Sequence, residues 1–336
     1  MSENLLTVKD LKTYFFTASG VSKAVDGVSF TLKKGETMGI VGESGSGKSV
    51  TASSIIRLLP PKIGKIVGGQ IDFEGKDIIQ LNKRDLLNFR GKDIAVIFQD
   101  PMTSLDPVFK IGNQMVEICA HQDMSKADAR KVAIEALKKV GIPQPEKRME
   151  SYPYELSGGM CQRVIIAMAV CCKPKMIIAD EPTTALDVTV QAQVLELLQE
   201  LQDEMDTSIL LITHNLGVVW KMCDTVMVLY AGKTVEYADT KTLYAKPLHP
   251  YTWGLLDSIP KLSDKVKGEL KAIPGVPPDL RLTGKCCNFY NRCPYAQEIC
   301  GKEVPELKEL EPGHFVACHR QNGEQNLVRG EVNPNE

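Results

Sequence analysis

Apolar and polar positions follow two rhythms along this chain. Val25 to Leu32 changes face at every residue, as a half-buried strand does, while Met38-Gly39-Ile40-Val41 is a short unbroken apolar run that stops at Gly42, as a buried strand does. Further runs of strand length occupy Ile94 to Phe98, Met176 to Ala179, Ile209 to Thr213 and Val226 to Tyr230. A helix is expected from about Lys48 to Leu59, because Pro60-Pro61 cannot continue it. Lys126 to Val140 carries apolar residues at helical spacing and ends at Gly141, and Val164 to Val170 reads as a third helix. Strands alternating with helices predict an α/β fold on a mainly parallel sheet, with a helical block inserted between the strands at Phe98 and Met176.

The pattern changes near Lys246. Pro247, Pro250, Pro260, Pro274, Pro277 and Pro278 follow with few apolar runs, which predicts a linker and a small irregular domain that needs a source of stability other than a large core. Asn322 to Glu336 is polar enough to be expected disordered. The 336 residues leave room for two domains, on a prior of roughly 150 residues each, and the expected division is 1–245 and 246–336. Lys and Arg number 40 against 42 Asp and Glu, so no broad basic face points to nucleic acid. The longest apolar run, Val164 to Cys172, falls short of the roughly 20 residues that span a bilayer. The first ten residues lack the basic and apolar stretches of an export signal, so the chain is expected to stay in the cytosol.

Candidate chemistry begins at Gly42. Gly42-Glu43-Ser44-Gly45-Ser46-Gly47-Lys48-Ser49 fits the phosphate-loop pattern and sits between a predicted strand and a predicted helix, the context that pattern requires. Glycines let backbone N–H groups converge on phosphate oxygens, Lys48 supplies a cation to the β and γ phosphates, and Ser49 offers its hydroxyl to Mg²⁺. A Gly/Ser-rich turn with an incidental lysine is the bland alternative, and the flanking elements argue against it. Met176 to Asp180 ends an apolar strand in a carboxylate, followed by Glu181 and Pro182. The two acids suggest divided labour, Asp180 anchoring the magnesium shell and Glu181 polarising the attacking water. Gln99 and His214 close two further strands, at the end where ligands gather in open α/β sheets.

Leu156-Ser157-Gly158-Gly159-Met160 opens the third helix, and a serine with two glycines at a helix N-terminus makes a second anion cradle. One ATP cannot readily use two cradles from one chain, so the second is expected to complete a site on another subunit. Of ten cysteines, Cys119, Cys161, Cys171, Cys172 and Cys223 are scattered and expected to be ordinary buried thiols, whereas Cys286, Cys287, Cys293, Cys300 and Cys318 crowd into the tail. Four thiolates with C-x5-C-x6-C-x17-C spacing suit zinc or an iron–sulfur cluster, with free thiols as the third reading.

The order of phosphate loop, Gln99, Leu-Ser-Gly-Gly, Asp180-Glu181, Ala185-Leu186-Asp187 and His214 resembles an ATP-binding cassette (ABC) transporter ATPase over about Leu6 to Ala245. The resemblance implies a P-loop, RecA-like ATPase core with an inserted helical subdomain at about 100–165. It also implies that two such subunits sandwich two ATP molecules head to tail. Lys48, Ser49, Gln99, Asp180, Glu181 and His214 would then act on ATP bound by this chain, and Gly42, Ser44, Gly45 and Gly47 would cradle it. Ser157, Gly158 and Gly159 would cap the partner's γ-phosphate, and Asp187 would run along the dimer seam. Phe15, with Tyr14 second and Phe16 beside it, is the aromatic expected to stack on adenine. Met160 replaces the commoner glutamine, and Cys161 stands where a basic residue is more usual.

The tail is similar to the C-terminal extension of dipeptide and oligopeptide import ATPases, through His249-Pro250-Tyr251-Thr252 and Cys287 to Cys318, as is the segment Asp100 to Pro107. Some members of that group carry a [4Fe-4S] cluster there, so Cys287, Cys293, Cys300 and Cys318 are its expected ligands, Zn²⁺ the alternative metal and Cys286 the alternative first ligand. The implied activity is ATP hydrolysis coupled to import of dipeptides or oligopeptides, with nickel or another small solute as runner-up. Implied partners are a second, related ATPase subunit, two transmembrane permeases and an extracellular substrate-binding protein, at the cytoplasmic face of the membrane. A soluble ABC ATPase acting on DNA or ribosomes would carry long coiled coils or paired cassettes, which this chain lacks. A metabolite kinase would have no use for Leu156 to Met160.

Overall fold

In the computed structural model, which describes residues 3–120, 124–184, 186–259, 272–321 and 326–330, the expected strands and helices form with small shifts at their ends. The chain runs β1 (Asn4–Thr17), β2 (Gly20–Lys33), β3 (Thr37–Val41), α1 (Lys48–Ile55), β4 (Gly64–Phe73), β5 (Lys76–Asp77) and α2 (Lys83–Asn88). Then come β6 (Ile94–Ile97), α3 (Pro101–Ser104), α4 (Ile111–Ala120), α5 (Lys126–Lys139), α6 (Pro145–Arg148), α7 (Gly158–Val170) and β7 (Met176–Asp180). The remainder is α8 (Val188–Met205), β8 (Ser208–Thr213), α9 (Leu216–Met222), β9 (Thr225–Tyr230), β10 (Lys233–Asp239), α10 (Thr240–Ala245), α11 (Pro250–Asp257), β11 (Lys308–Glu311) and β12 (His314–Val316). Among the described residues no helix is long and apolar enough to cross a membrane.

Two compact units divide these elements. One comprises Leu32–Glu36 and Gln80–Leu211, with β8-β7-β6 as neighbouring strands and α3 to α7 between β6 and β7. The β6 and β7 strands pair in parallel, Ile94 opposite Met176 and Ile97 opposite Ala179, which brings the residues that follow each strand to the same end. The other unit holds Asn4–Thr31, Thr37–Ile79 and Ile212–Glu336. Its strands run β11-β12-β10-β9-β3, and a separate sheet has the order β2-β1-β4-β5. In β3 every residue is buried, and it lies parallel to β9 with Val41 opposite Val228.

Three expectations change. The sheet is parallel at β3–β9 and β6–β7, yet β9–β10, β10–β12 and β11–β12 are antiparallel, and β1–β4 adds an antiparallel sheet that the apolar pattern did not announce. The alternation of β1 is broken by a register shift between Lys9 and Thr13, where Asp10 takes a φ of 46°. Helix α1 stops at Ile55 rather than Leu59, because Arg57 turns left-handed (φ 54°). The Leu58 and Arg57 N–H groups then close on the Ser53 and Ser54 carbonyls at 2.7 and 3.0 Å. The proline-rich stretch read as linker includes a buried helix start: Pro250 opens α11 and His249 caps it. There the carboxylate of Glu236, fully buried in β10, accepts the Leu248 and His249 N–H groups at 2.6 and 2.9 Å and a hydrogen bond with His314 at 2.9 Å. Ala185 lies outside the described residues, and of the tail expected to be disordered only 326–330 are described.

Candidate functional site

The phosphate loop follows β3 directly. Its last glycine, Gly47, has φ 107° and caps α1, and a β-carbon there would come within 2.3 Å of the Ala24 carbonyl oxygen, so only glycine fits. Lys48 is 5% exposed and donates from Nζ to the carbonyls of Gly42 (2.7 Å) and Glu43 (3.0 Å), which fixes its ammonium inside the loop. Ser44, Gly45 and Ser49 are exposed. The Ser46 hydroxyl is buried and has no hydrogen-bond partner among the described residues, a donor inside the cradle that an anion would satisfy and that the sequence pattern does not single out.

The neighbouring aromatics are told apart by their partners. Tyr14 donates to Asp26 at 2.7 Å, and burial together with that bond pushes its phenol up to about 12. Phe16 is exposed beneath the Lys65 ammonium, 5.5 Å from the ring centroid. Phe15 lies opposite Gly64 and on the same face of β1 as Thr13, whose hydroxyl meets that of Ser54 in α1 at 2.8 Å. Phe15 is thus the aromatic on the side of the helix that the loop opens. His214 is exposed just after β8, one residue before Asn215 caps α9.

The other unit holds the carboxylates. Asp180 closes β7 half-buried, and Glu181 follows with φ 48°, a left-handed backbone unusual for a residue with a side chain. Gln99, beyond β6, donates from Nε2 to Glu181 Oε2 at 2.9 Å, and the Thr184 hydroxyl donates to the same oxygen at 2.9 Å. Parallel pairing of β6 and β7 explains this meeting of residues 82 apart, which spacing alone cannot reveal. The Thr184 contact escaped the sequence reading. In this unit Ser157 caps α7 by accepting the Met160 N–H at 3.3 Å. A β-carbon on Gly159 would meet Val190 Cγ1 at 2.9 Å, whereas one on Gly158 would meet nothing within 4 Å among the described residues. Cys161 is fully buried with Sγ toward the Pro153 carbonyl at 3.5 Å, so the departure from a basic residue is a packing choice. Asp187 caps α8, accepting from Thr189 and Val190 at 3.1 and 3.0 Å. A groove of about 610 Å³ opens among Leu87, Phe98, Ile165 and Met168, with Arg84 and Arg90 at its wall.

Of the five tail cysteines, Cys318 feels the charges of Cys293, Cys287 and Cys300, and Cys293 feels those of Cys287 and Cys300, so these four thiols share one neighbourhood. Burial raises Cys287 to about 11 and Cys293 and Cys318 to about 12. Cys286 acts on Cys287. Among the described residues no group of three or more His, Cys, Asp and Glu side chains is arranged to hold a metal ion. Cys119, Cys161, Cys171 and Cys223 are buried and Cys172 half-buried, as expected of structural thiols.

Comparison with known proteins adds the family. Residues 25–184 match the model of the ABC transporter family, and residues 235–300 match that of the oligopeptide/dipeptide transporter C-terminal region. An oligopeptide transport ATP-binding protein of Bacillus subtilis is 52% identical, across 93% of this chain and 87% of its own. Its counterpart in Escherichia coli is 49% identical, across 95% and 94%. A dipeptide transport ATP-binding protein of Bacillus subtilis is 49% identical, across 95% and 96%. A solved dimeric ATP-binding cassette in a post-hydrolysis state with ADP and Pi superimposes with a TM-score of 0.63 at 26% identity, covering 70% of this chain and 98% of that one.

Proposed function

The chain belongs to the ABC transporter ATP-binding family, and from that premise we propose that it is the ATP-hydrolysing, energy-coupling subunit of an importer for dipeptides or oligopeptides. The observation that carries the reading is the Gln99–Glu181 contact in a chain that also holds an intact phosphate loop. In this reading Lys48, Ser44, Gly45 and Gly47 hold the phosphates, Phe15 stacks on adenine, and His214 contacts the γ-phosphate. Ser49, Gln99 and Asp180 would hold Mg²⁺, which supplies charge neutralisation at the phosphate oxygens when bound. The orphaned buried hydroxyl of Ser46 and the exposed hydroxyl of Ser49 suit that charged ligand. Glu181 orients water and accepts its proton, while Gln99 and Thr184 keep the carboxylate aimed.

Gln99 opens the segment leading into α3 to α7. A shift of that segment therefore moves the amide that steadies the base, which links hydrolysis to whatever those helices touch. The groove at Leu87, Phe98 and Met168 is our assignment for the seat of a permease's cytoplasmic helix. Two transmembrane permeases, a second and related ATPase subunit and an extracellular substrate-binding protein complete the system at the cytoplasmic face of the membrane. Ser157, Gly158 and Gly159 serve the partner's nucleotide. The test is ATP turnover by the assembled, membrane-embedded transporter carrying Glu181→Gln. Turnover falls by about 10²-fold or more with nucleotide binding retained; unchanged turnover would refute the assignment of the base.

For the tail, we propose that Cys287, Cys293, Cys300 and Cys318 hold a [4Fe-4S] cluster that staples a region poor in apolar burial. Their shared neighbourhood, with Cys300 buried and Cys287, Cys293 and Cys318 half-buried, supports this, as does the family match reaching Cys300, although the thiols would have to converge further than they do here to bind it. Such a group, when bound, would supply cross-links through its metal–thiolate bonds, and the thiols would release their protons to solvent as it bound. Protein purified without oxygen is expected to be brown with broad visible absorption. Colourless protein with stoichiometric zinc would sink the cluster.

A further inference from the structure

Glu43, the second residue of the phosphate loop, is held from two sides by the C-terminal extension. Arg292 forks onto its carboxylate, Nη1 to Oε2 at 2.6 Å and Nη2 to Oε1 at 3.0 Å, a planar match that fixes orientation as well as distance. The rest of the guanidinium is equally committed: Nε donates to the Pro274 carbonyl at 2.8 Å, Nη2 to that of Ile273 at 3.2 Å, and Nη1 to the Tyr230 hydroxyl at 3.3 Å. All five of its N–H donors therefore have an acceptor. The side chain is 4% exposed, its guanidinium carbon 5.7 Å from the Tyr230 ring centroid and 6.0 Å from that of Phe289. From the other side the hydroxyl of Tyr251, fully buried in α11, accepts the Glu43 N–H at 2.8 Å.

Glu43 also accepts at its carbonyl from Lys48 and from the Ser46 N–H at 3.2 Å. Its amide and carboxylate are thus gripped by the extension, and its carbonyl by the phosphate-binding lysine. The loop pattern leaves that position unrestricted, so nothing in nucleotide binding as such calls for an acid there. An exposed ion pair would contribute little, but this one is buried on the arginine side, two-pointed and packed between rings.

From this geometry we infer that Arg292, with Tyr251, is a positioning residue for nucleotide binding: the extension grips the second residue of the phosphate loop and so sets the affinity of a cradle it does not itself form. Arg292 directly precedes Cys293 in the chain. The inference rests on reading the loop as a nucleotide site.

The experiment measures the Kd of a fluorescent ATP analogue, with Mg²⁺, for the full chain and for Arg292→Ala, Arg292→Lys, Glu43→Ala and the Arg292→Ala/Glu43→Ala pair. Each alanine variant is expected to weaken binding by about fivefold or more, the lower end of ordinary coupling between sites. The pair should be no worse than the weaker single, and Arg292→Lys should recover part of the loss. In the assembled transporter the KM for ATP rises while kcat at saturating ATP is kept. Folded Arg292→Ala with wild-type affinity, or losses that simply add, would overturn the inference. Should Arg292→Ala fail to fold, Glu43→Ala together with Tyr251→Phe decides by the same measure. A wild-type chain that bound no nucleotide would overturn instead the reading of the loop.

Discussion

Acid should weaken this protein through one histidine. His249 caps α11, its Nδ1 accepting the Tyr251 N–H at 3.0 Å; it is 2% exposed, and burial lowers its pKa from 6.5 to about 3. The Phe289 ring packs 5.8 Å away, and the nearby Glu236 carboxylate is engaged by the backbone N–H of His249 rather than by its ring. In the unfolded chain the same imidazole protonates near 6.5, so between about 6.5 and 3 the unfolded state binds a proton that the folded state refuses. Stability is therefore undiminished above 6.5 and drains as pH falls below it. At pH 5, about 1.5 below the unfolded pKa, and at about 1.36 kcal/mol per decade, the loss relative to pH 7.5 is about 2 kcal/mol. With an unfolding entropy of about 0.7 kcal/mol per kelvin for a chain of 336 residues, that is a fall in Tm of about 3 °C. Calorimetry at pH 7.5 and 5.0 on wild type and His249→Asn isolates it, because asparagine keeps a capping acceptor but does not titrate. Wild type should lose about 3 °C more than the variant. Equal losses in the two proteins would show that the buried imidazole is not the cause.

Gly159→Ala places a β-carbon 2.9 Å from Val190 Cγ1, so denaturant unfolding should show a loss of about 1–3 kcal/mol, largely restored by Val190→Ala in the same chain. No loss in the single variant would mean that the two helices part freely. Phe15→Ala is expected to raise the Kd for ATP by about tenfold, as loss of one base–aromatic stack does. Tyr14→Phe, which gives up only the Asp26 bond, should leave that Kd unchanged in the same titration; the reverse ranking would assign the stack to Tyr14. Ser125→Ala removes the cap that accepts the Asp128 N–H at 3.2 Å and should cost about 1 kcal/mol in the denaturant midpoint.

What could be read from the sequence was whatever depends on neighbours along the chain. The strand that ends at Gly42, the glycine-bearing loop and the helix at Lys48 form one contiguous signal, and β3 and α1 appear where that signal put them. Helix α5 was equally plain because Ser125 caps it and Gly141, with φ 74°, ends it. By contrast β1 and β4 pair residues 49 to 67 apart and carry a break in register, so their period of two is interrupted where it is most needed. Glu181 could be named as an acid after a strand, but its two donors, Gln99 and Thr184, meet it only through parallel pairing and a left-handed turn. Arg292 was wholly silent: nothing in its local sequence points 249 residues back to Glu43.

The two glycines at the start of α7 would separate in a genetic cross. A side chain on Gly159 collides with this chain's own Val190, so bulky alleles there damage the subunit before it joins anything and should be recessive. A side chain on Gly158 meets nothing within 4 Å among the described residues, so under the proposed function the subunit is expected to fold, load its own nucleotide and take a place in the complex. On the proposal that Ser157 to Gly159 serve a partner's nucleotide, what it spoils would belong to its neighbour. Such an allele should be dominant, and its severity should follow the ratio of mutant to normal subunits rather than the amount of either.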